Sequence, residues 1–524
     1  MNLRFLSLAL LALGSSTYAL DGQIGIHDPS TLIQCDGKFY VYGTGGGPLV
    51  SDDGWTWRPG TVPSDTGLAP DVIRLGERYY MYVARNVGGQ PGAEITMSSN
   101  RTLDPASPDY KWSEKVVVAS TNGVEDCNGI DPGVLLDPKT GKLWLTYGSY
   151  FGFIRLVELD PATGKRLDLK SRPMDLAINC EASIMIFHDD WYYLLATHGS
   201  CCQGANSNYN IRVGRSHNIA GPYLDHDGQD MMEGGGKLFL GSESRHVGSG
   251  HFGRLDLGEG AEVFSYHYES DLDRGGFSVL AIRPLLWRDG WPVAGENAKA
   301  GSFMIESVRT GTVLELGVEG VPLTRGRGGP PGFGGPGGGL APGAPAAGGA
   351  TIAGAPSPAV APGAPAPAGG PGGPRPPGGR PRASSGPPIP PQDVAVVSKN
   401  WPEGNLAPRM ANFLDQAQQK WTLSAAPNAG GYPGAPYFKI TVAGTDRALA
   451  ATAEAELTTV PAFTGAPEQL WAVQQLTDGA YRIMPKAIPG SRTPLALSAI
   501  GSGFATLTKF DVTSDRQRWN LKGL

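Results

Sequence analysis

Five polar residues stand out in the first half of the chain, each in apolar or tight-turn surroundings. They are Asp28 in "HDPS", Asp71 in "APDV", Asp131 in "IDPG", Glu181 in "CEAS" and His251 in "GSGHFG". Carboxylates and imidazoles exchange protons with a reacting group when their surroundings bring their pKa values near the working pH. Acids gathered in one pocket resist simultaneous ionisation, so one can stay protonated while another keeps its charge. Such a set can divide the roles of general acid and general base. Left unpaired in a core, the same residues would be costly. Asp-Pro is also a common turn starter, and "DPKT" at Asp137 and "DPAT" at Asp160 lie in polar loops and read that way. Asp28 and Asp131 instead lead into strands.

Strands must bring these groups together. Aromatic runs recur at Lys38–Thr44 (KFYVYGT), Arg78–Ala84 (RYYMYVA), Lys142–Tyr150 (KLWLTYGSY), Trp191–Thr197 (WYYLLAT) and Val263–Ser270 (VFSYHYES). Each follows a turn pair such as Asp36-Gly37 or Thr140-Gly141, which is a strand signal. No helical period of comparable strength appears. The spacing predicts a five-bladed β-propeller over residues 20–298. The innermost strand of each blade would line the central channel. One polar residue per blade at a similar offset would then converge on the axis, and the two Asp-Pro motifs would be two acids facing one pocket.

The C-terminal part, residues 299–524, reads differently. "QKW" at Gln419–Trp421, "QLW" at Gln469–Trp471 and "QRW" at Gln517–Trp519 recur about every fifty residues, each in a strand–turn–strand unit. "FMIESVRTGTVLELG", from Phe303, opens the first unit. Between it and "QKW" lies a Gly/Pro/Ala tract at 325–392, with no G-X-Y period. That composition cannot bury enough apolar surface to order itself, so a disordered insertion inside the first repeat is expected. Loop closure costs grow slowly with length, so the fold can carry it. Three QxW units resemble the ricin-B-type β-trefoil, a family of carbohydrate-binding modules. The resemblance places Gln and Trp in the core. It directs attention to Glu315 and Asp446 as candidate sugar-binding acids.

Across Ile24 to Glu296, the chain resembles glycoside hydrolase family 43, closest to its endo-arabinanase branch. The stretches that carry this are "HGSCCQGANSNYNIRVGRSHNIAGPYLDHDG" (from His198), "GGGKLF", "GSGHFG", "SYHYES" and "LAIRPLLWRDGWP". The resemblance implies Asp28 as general base, Glu181 as general acid and Asp131 as the residue that tunes and orients the acid. It implies that His251 helps to hold one ion, commonly calcium, through waters. Inverting hydrolysis of a glycosidic bond needs an acid and a base on opposite sides, about 6.5–9.5 Å apart, so that a water fits between them. A nearby cation would temper the mutual repulsion of the acids. Further substrate-binding candidates are His27, Asp71, Phe151, Tyr209 and Arg215. For each there is an equally ordinary structural reading; Arg215, for example, would simply pin a blade edge. Two departures from the family pattern affect linkage preference: Leu68 stands where Trp is frequent, and "EASIM" follows the acid in place of Ala-Pro and an aromatic. The expected activity is cleavage of α-1,5-arabinan in pectin side chains. Alternatives are an arabinofuranosidase, β-xylosidase or galactanase of the same family, or a carbohydrate-binding protein without catalysis. Retention of all three carboxylates argues against the last.

A net charge of −6 gives no reason to expect nucleic acid as a partner. Arg4, then the apolar run Phe5–Leu13, then "TYA" ending at Ala19 read as a secretory signal too short for a membrane span. The mature protein is expected to be secreted, extracellular or periplasmic, monomeric and free of membrane. Five cysteines would remain: Cys35, Cys127, Cys180, Cys201 and Cys202. Without a CxxC, a zinc site is not expected. Adjacent Cys201 and Cys202 are poor partners for each other, so buried thiols or one bridge to a distant cysteine are expected.

Overall fold

The computed structural model describes residues 20–45, 47–63, 67–86, 92–121, 128–149, 152–317, 406–501 and 503–524. The leader at 1–19, Cys127, Phe151 and the tract at 325–392 lie outside the described residues. The architecture is all-β. Among the described residues, no helix is long and apolar enough to cross a membrane.

Five sheets follow one another along the chain as propeller blades, antiparallel except where Asp21–Gly22 joins the edge of the first in parallel. Their first strands are Ile33–Cys35, Leu68–Leu75, Gly133–Leu136, Glu181–His188 and Val247–Asp256. The aromatic runs are the second strands: Lys38–Val41, Arg78–Asn86, Leu143–Tyr147, Trp191–His198 and Glu262–Ser270. Both faces of these strands are buried, because side chains alternate between neighbouring blades. Tyr79 and Met81 pack towards the first blade, and Tyr80 and Tyr82 towards the third. Tyr192 and Leu194 face the third blade, and Tyr193 and Leu195 the fifth. Five apolar clusters therefore fill the five gaps between blades. The N-terminal segment closes the ring: Leu280 N–H donates to Ile24 C=O (2.9 Å), and Ile26 N–H to Ser278 C=O (3.1 Å).

The C-terminal part is a closed, barrel-like sheet. Six strands, Gly301–Ser307, Trp421–Ala425, Phe438–Val442, Trp471–Gln475, Tyr481–Pro485 and Trp519–Gly523, pair in a ring. Hairpins begin at Val313, Ala448 and Leu495. The QxW residues perform one structural task three times. Trp421, Trp471 and Trp519 donate their indole N–H to the carbonyls of Leu314, Leu449 and Leu497 at 2.8, 3.0 and 2.9 Å. The Gln side-chain oxygens of Gln419, Gln469 and Gln517 each accept from a backbone N–H, of Leu414, Thr464 and Asp511, at 2.7 Å. Glu315 is buried and occupied: it accepts from Gln419 Nε2 at 2.7 Å and is held by the Arg409 guanidinium. That pairing gives Glu315 a structural role in the first repeat. Asp446 lies in an exposed turn. Barrel and propeller touch through Gly431 N–H to Asp53 Oδ2 (2.9 Å) and Arg482 Nη1 to Glu259 Oε2 (3.1 Å).

Candidate active site

Each blade enters the channel through a residue with left-handed backbone. These are Asp28 (φ 51°), Ala69 (φ 43°), Asp131 (φ 55°), Ala182 (φ 50°) and His251 (φ 63°). Such conformations cost a non-glycine residue of order 1 kcal/mol or more and persist where the surroundings impose them. Register shifts break the first strands at the same places, between Leu68 and Asp71, Glu181 and Ile184, and Gly250 and Gly253. Bulges of this kind re-aim side chains. The expected equivalence of one polar residue per blade is thereby corrected. Asp28, Asp131 and His251 share a position, whereas Asp71 and Glu181 are offset from it because the bulge puts Ala69 and Ala182 there.

Asp28 is the hub. Its Oδ2 accepts from Thr44 Oγ1 at 2.6 Å, and its Oδ1 lies 3.3 Å from His251 Nδ1, 3.4 Å from His27 Nε2 and 3.9 Å from His267 Nδ1. Burial pushes its carboxyl up, but the His251 hydrogen bond and charge, with His27 and His267, hold it well below the ordinary range. His251 is the counterpart: burial opposes its charge, and Asp28, Asp131 and Asp71 outweigh that and raise it. His267 is fully enclosed and pushed by burial to about 3, so it is neutral and accepts the Asp28 N–H at 3.1 Å.

Glu181 behaves oppositely. Burial, reinforced by the charge of Asp28, lifts its carboxyl to about 7, against the pull of a hydrogen bond from Ser149 Oγ to Oε2 (3.0 Å). Asp131 is buried and pushed well above its ordinary value, first by burial and then by Glu181 and Asp28. Its Oδ2 accepts the Ala182 N–H at 3.1 Å, which ties it to the backbone beside Glu181. One carboxylate is therefore held ionised and another held protonated in the same channel.

The remaining candidates separate. Asp71 is buried and bridges two other blades, accepting from Thr31 N–H (3.1 Å) and Val134 N–H (3.0 Å). Tyr209 is buried against His267, with ring centroids 5.9 Å apart. A Cβ on Gly250 would stand 2.4 Å from its ring, which is why glycine precedes His251. Arg215 lies between Trp191 and Trp291, 4.3 and 4.4 Å from their rings, and donates to Gly290 C=O at 2.7 Å, joining the fourth and fifth blades. Arg215→Ala is expected to lower stability by about 2 kcal/mol, from the lost hydrogen bond and cation–π contacts, and to leave KM unchanged. Thermal melts beside initial rates check this.

Sequence reasoning missed Thr44 and Ser149, the hydroxyls that set the two carboxylates. A signal was present: each ends an aromatic strand as Tyr-Gly-Thr or Tyr-Gly-Ser. For the cysteines, buried thiols were expected and are found at Cys35 and Cys180, but the bridge between adjacent Cys201 and Cys202 was not expected. The peptide between the pair turns with Cys202 at φ 66°, a local geometry that spacing alone does not reveal.

Calcium takes six to eight oxygen ligands. The groups around Asp28 are three imidazoles and one carboxylate, and the ring of His251 is turned to Asp28, with Nδ1 3.3 Å from Oδ1. This donor set does not fit direct coordination of calcium.

Comparison with known proteins agrees with the geometry. Residues 42–292 match the profile described as "Glycosyl hydrolases family 43". The extracellular exo-alpha-(1->5)-L-arabinofuranosidase ArbA of Cellvibrio japonicus is 31% identical, over 52% of this chain and 88% of that protein. The extracellular endo-alpha-(1->5)-L-arabinanase 1 of Bacillus subtilis is 30% identical, over 51% of this chain and 87% of that protein. A crystal structure of an exo-1,5-alpha-L-arabinanase from a bovine ruminal metagenomic library aligns over 53% of this chain and 100% of its own, at 33% identity and a TM-score of 0.49. With a propeller channel that divides its carboxylates into an ionised and a protonated member, and with relatives matched over most of their length, this chain belongs to glycosyl hydrolase family 43.

Proposed function

We propose that the protein is a secreted endo-acting arabinanase that cleaves α-1,5-linked L-arabinan with inversion. The observation that carries the reading is the opposite displacement of two channel carboxylates: Asp28 is held low by imidazoles, and Glu181 is raised to about 7. Asp28 then takes a proton from the attacking water, and Glu181 protonates the departing sugar oxygen. Asp131 positions the acid by accepting the Ala182 N–H beside it. His27 and His251 hold the base in place. Relatives named as extracellular arabinan-degrading enzymes support the substrate and the secretion. The barrel would keep the enzyme on polysaccharide, with the exposed turn at Asp446 as its candidate contact.

Incubation with debranched α-1,5-arabinan, followed by viscosity and released sugars, tests the reading. A fast viscosity drop with mixed oligosaccharides supports it. Slow release of one small sugar makes the enzyme exo-acting, and cleavage of arabinoxylan or galactan alone overturns the substrate.

The pH profile carries a sign. kcat/KM should fall as pH rises through about 7, where Glu181 loses its proton. Ser149 stabilises the ionised form, so Ser149→Ala should move that limb to higher pH. An unmoved limb would detach Glu181 from it. The proposal also includes one calcium ion near His251, held through waters. EDTA should then lower the rate and added calcium restore it; unchanged activity after exhaustive chelation removes the ion from the proposal.

A further inference from the structure

The bonded cysteines stand beside the channel with no part in the chemistry above. Cys202 is exposed and Cys201 half-buried. Cys202 Sγ lies 3.5 Å from His27 Nε2, the same nitrogen that faces Asp28 Oδ1 at 3.4 Å. Ligand atoms of His27, Cys201 and Cys202 all lie within 4.8 Å of one another. The ring of His27 is also braced from behind. Ser278 Oγ donates its one proton to Glu269 Oε1 (3.0 Å), so at 2.9 Å it accepts from His27 Nδ1–H. That leaves Nε2 to face the sulfurs. A hydroxyl–carboxylate brace on the far nitrogen is the support that ligating histidines commonly have.

We propose that His27, Cys201 and Cys202 form a redox-gated site for a thiophilic divalent cation, zinc in particular, and that occupation shuts the channel. The thiolate is the metal ligand and the disulfide is not, so the bridge keeps the site closed. Two molecules of a thiol reductant RSH open it: two electrons enter the Cys201–Cys202 bond, two cysteine thiols form and RS–SR leaves. The cation then displaces the two thiol protons to solvent. The result is a Cys2His set with a fourth position for water, an arrangement zinc adopts in proteins. Bound there, the cation draws Nε2 away from Asp28 and places positive charge beside the base. Cys35 and Cys180 are buried and take no part.

Cobalt is the probe. The full chain, reduced anaerobically with a phosphine that becomes its oxide with the oxygen of water, is titrated with Co²⁺. A sulfur-to-cobalt charge-transfer absorption is expected in the reduced protein and not in the oxidised one. Zinc should abolish it, Cys202→Ser should remove it, and His27→Ala should weaken binding roughly ten-fold or more. Melting temperatures of the variants show that each is folded. In parallel, zinc should inhibit the reduced enzyme and spare both the oxidised enzyme and reduced Cys202→Ser. No absorption in the reduced protein, or an undiminished one in Cys202→Ser, overturns the site. Zinc bound with activity intact overturns the shut-down. The inhibition arm rests on the arabinanase reading and the cobalt arm does not, so the two can fail separately.

Discussion

Replacing Asp28 by Ala should lower kcat on debranched arabinan by about 10⁴-fold, with KM little changed. The size follows from its role. Asp28 is the ionised member of the channel set, held there chiefly by His251, with His27, and oriented by the Thr44 hydroxyl. Without it no charged group in that place takes the proton of the attacking water, and the loss is confined to the transition state. Formate or azide, small enough to enter the vacated volume, should restore part of the rate. Glu181→Gln should fail differently. It should lose most on substrates with poor leaving groups and less on an aryl arabinoside, whose leaving group needs little protonation. Initial rates on both substrates separate the two residues. A variant Asp28→Ala that keeps a tenth of the activity while folded would remove Asp28 from the base role.

Trp471→Ala should destabilise the barrel by about 3–5 kcal/mol. The indole is completely buried at the centre of the three-fold core, and its N–H is the partner of the Leu449 carbonyl. Truncation leaves a large cavity and a buried acceptor with no donor, and each contributes to the loss. Trp421 and Trp519 occupy the same position in the other two repeats, so their replacement should cost a similar amount. Denaturant unfolding followed by tryptophan emission measures it. A loss below about 1 kcal/mol would show that the QxW tryptophans do not anchor the repeats.

Much of the architecture was legible because it rests on short-range periodicity. Alternation of aromatic residues between Gly and Asp turns marks strands buried on both faces, and five such runs give five blades. QxW triplets mark three repeats because each Trp must reach a carbonyl of its own hairpin. The carboxylates were legible as types in apolar settings. Their roles were less so: a pKa depends on what surrounds a group in space. Nothing adjacent in sequence to Asp28 announces that His251 and His267 enclose it, or that Thr44 donates to it.

By itself, then, the sequence determined the all-β character and the five-fold repeat, and it marked the carboxylates as candidates, since these follow from local pattern and residue chemistry. Tertiary structure decided the rest. The left-handed bulges put Ala69 and Ala182 where polar residues were expected and displaced Asp71 into a brace between blades. Blade packing turned Arg215 and Tyr209 into supports, and a local turn joined Cys201 to Cys202 beside His27. These outcomes depend on which blade lies against which, a matter of distances between residues far apart in the chain.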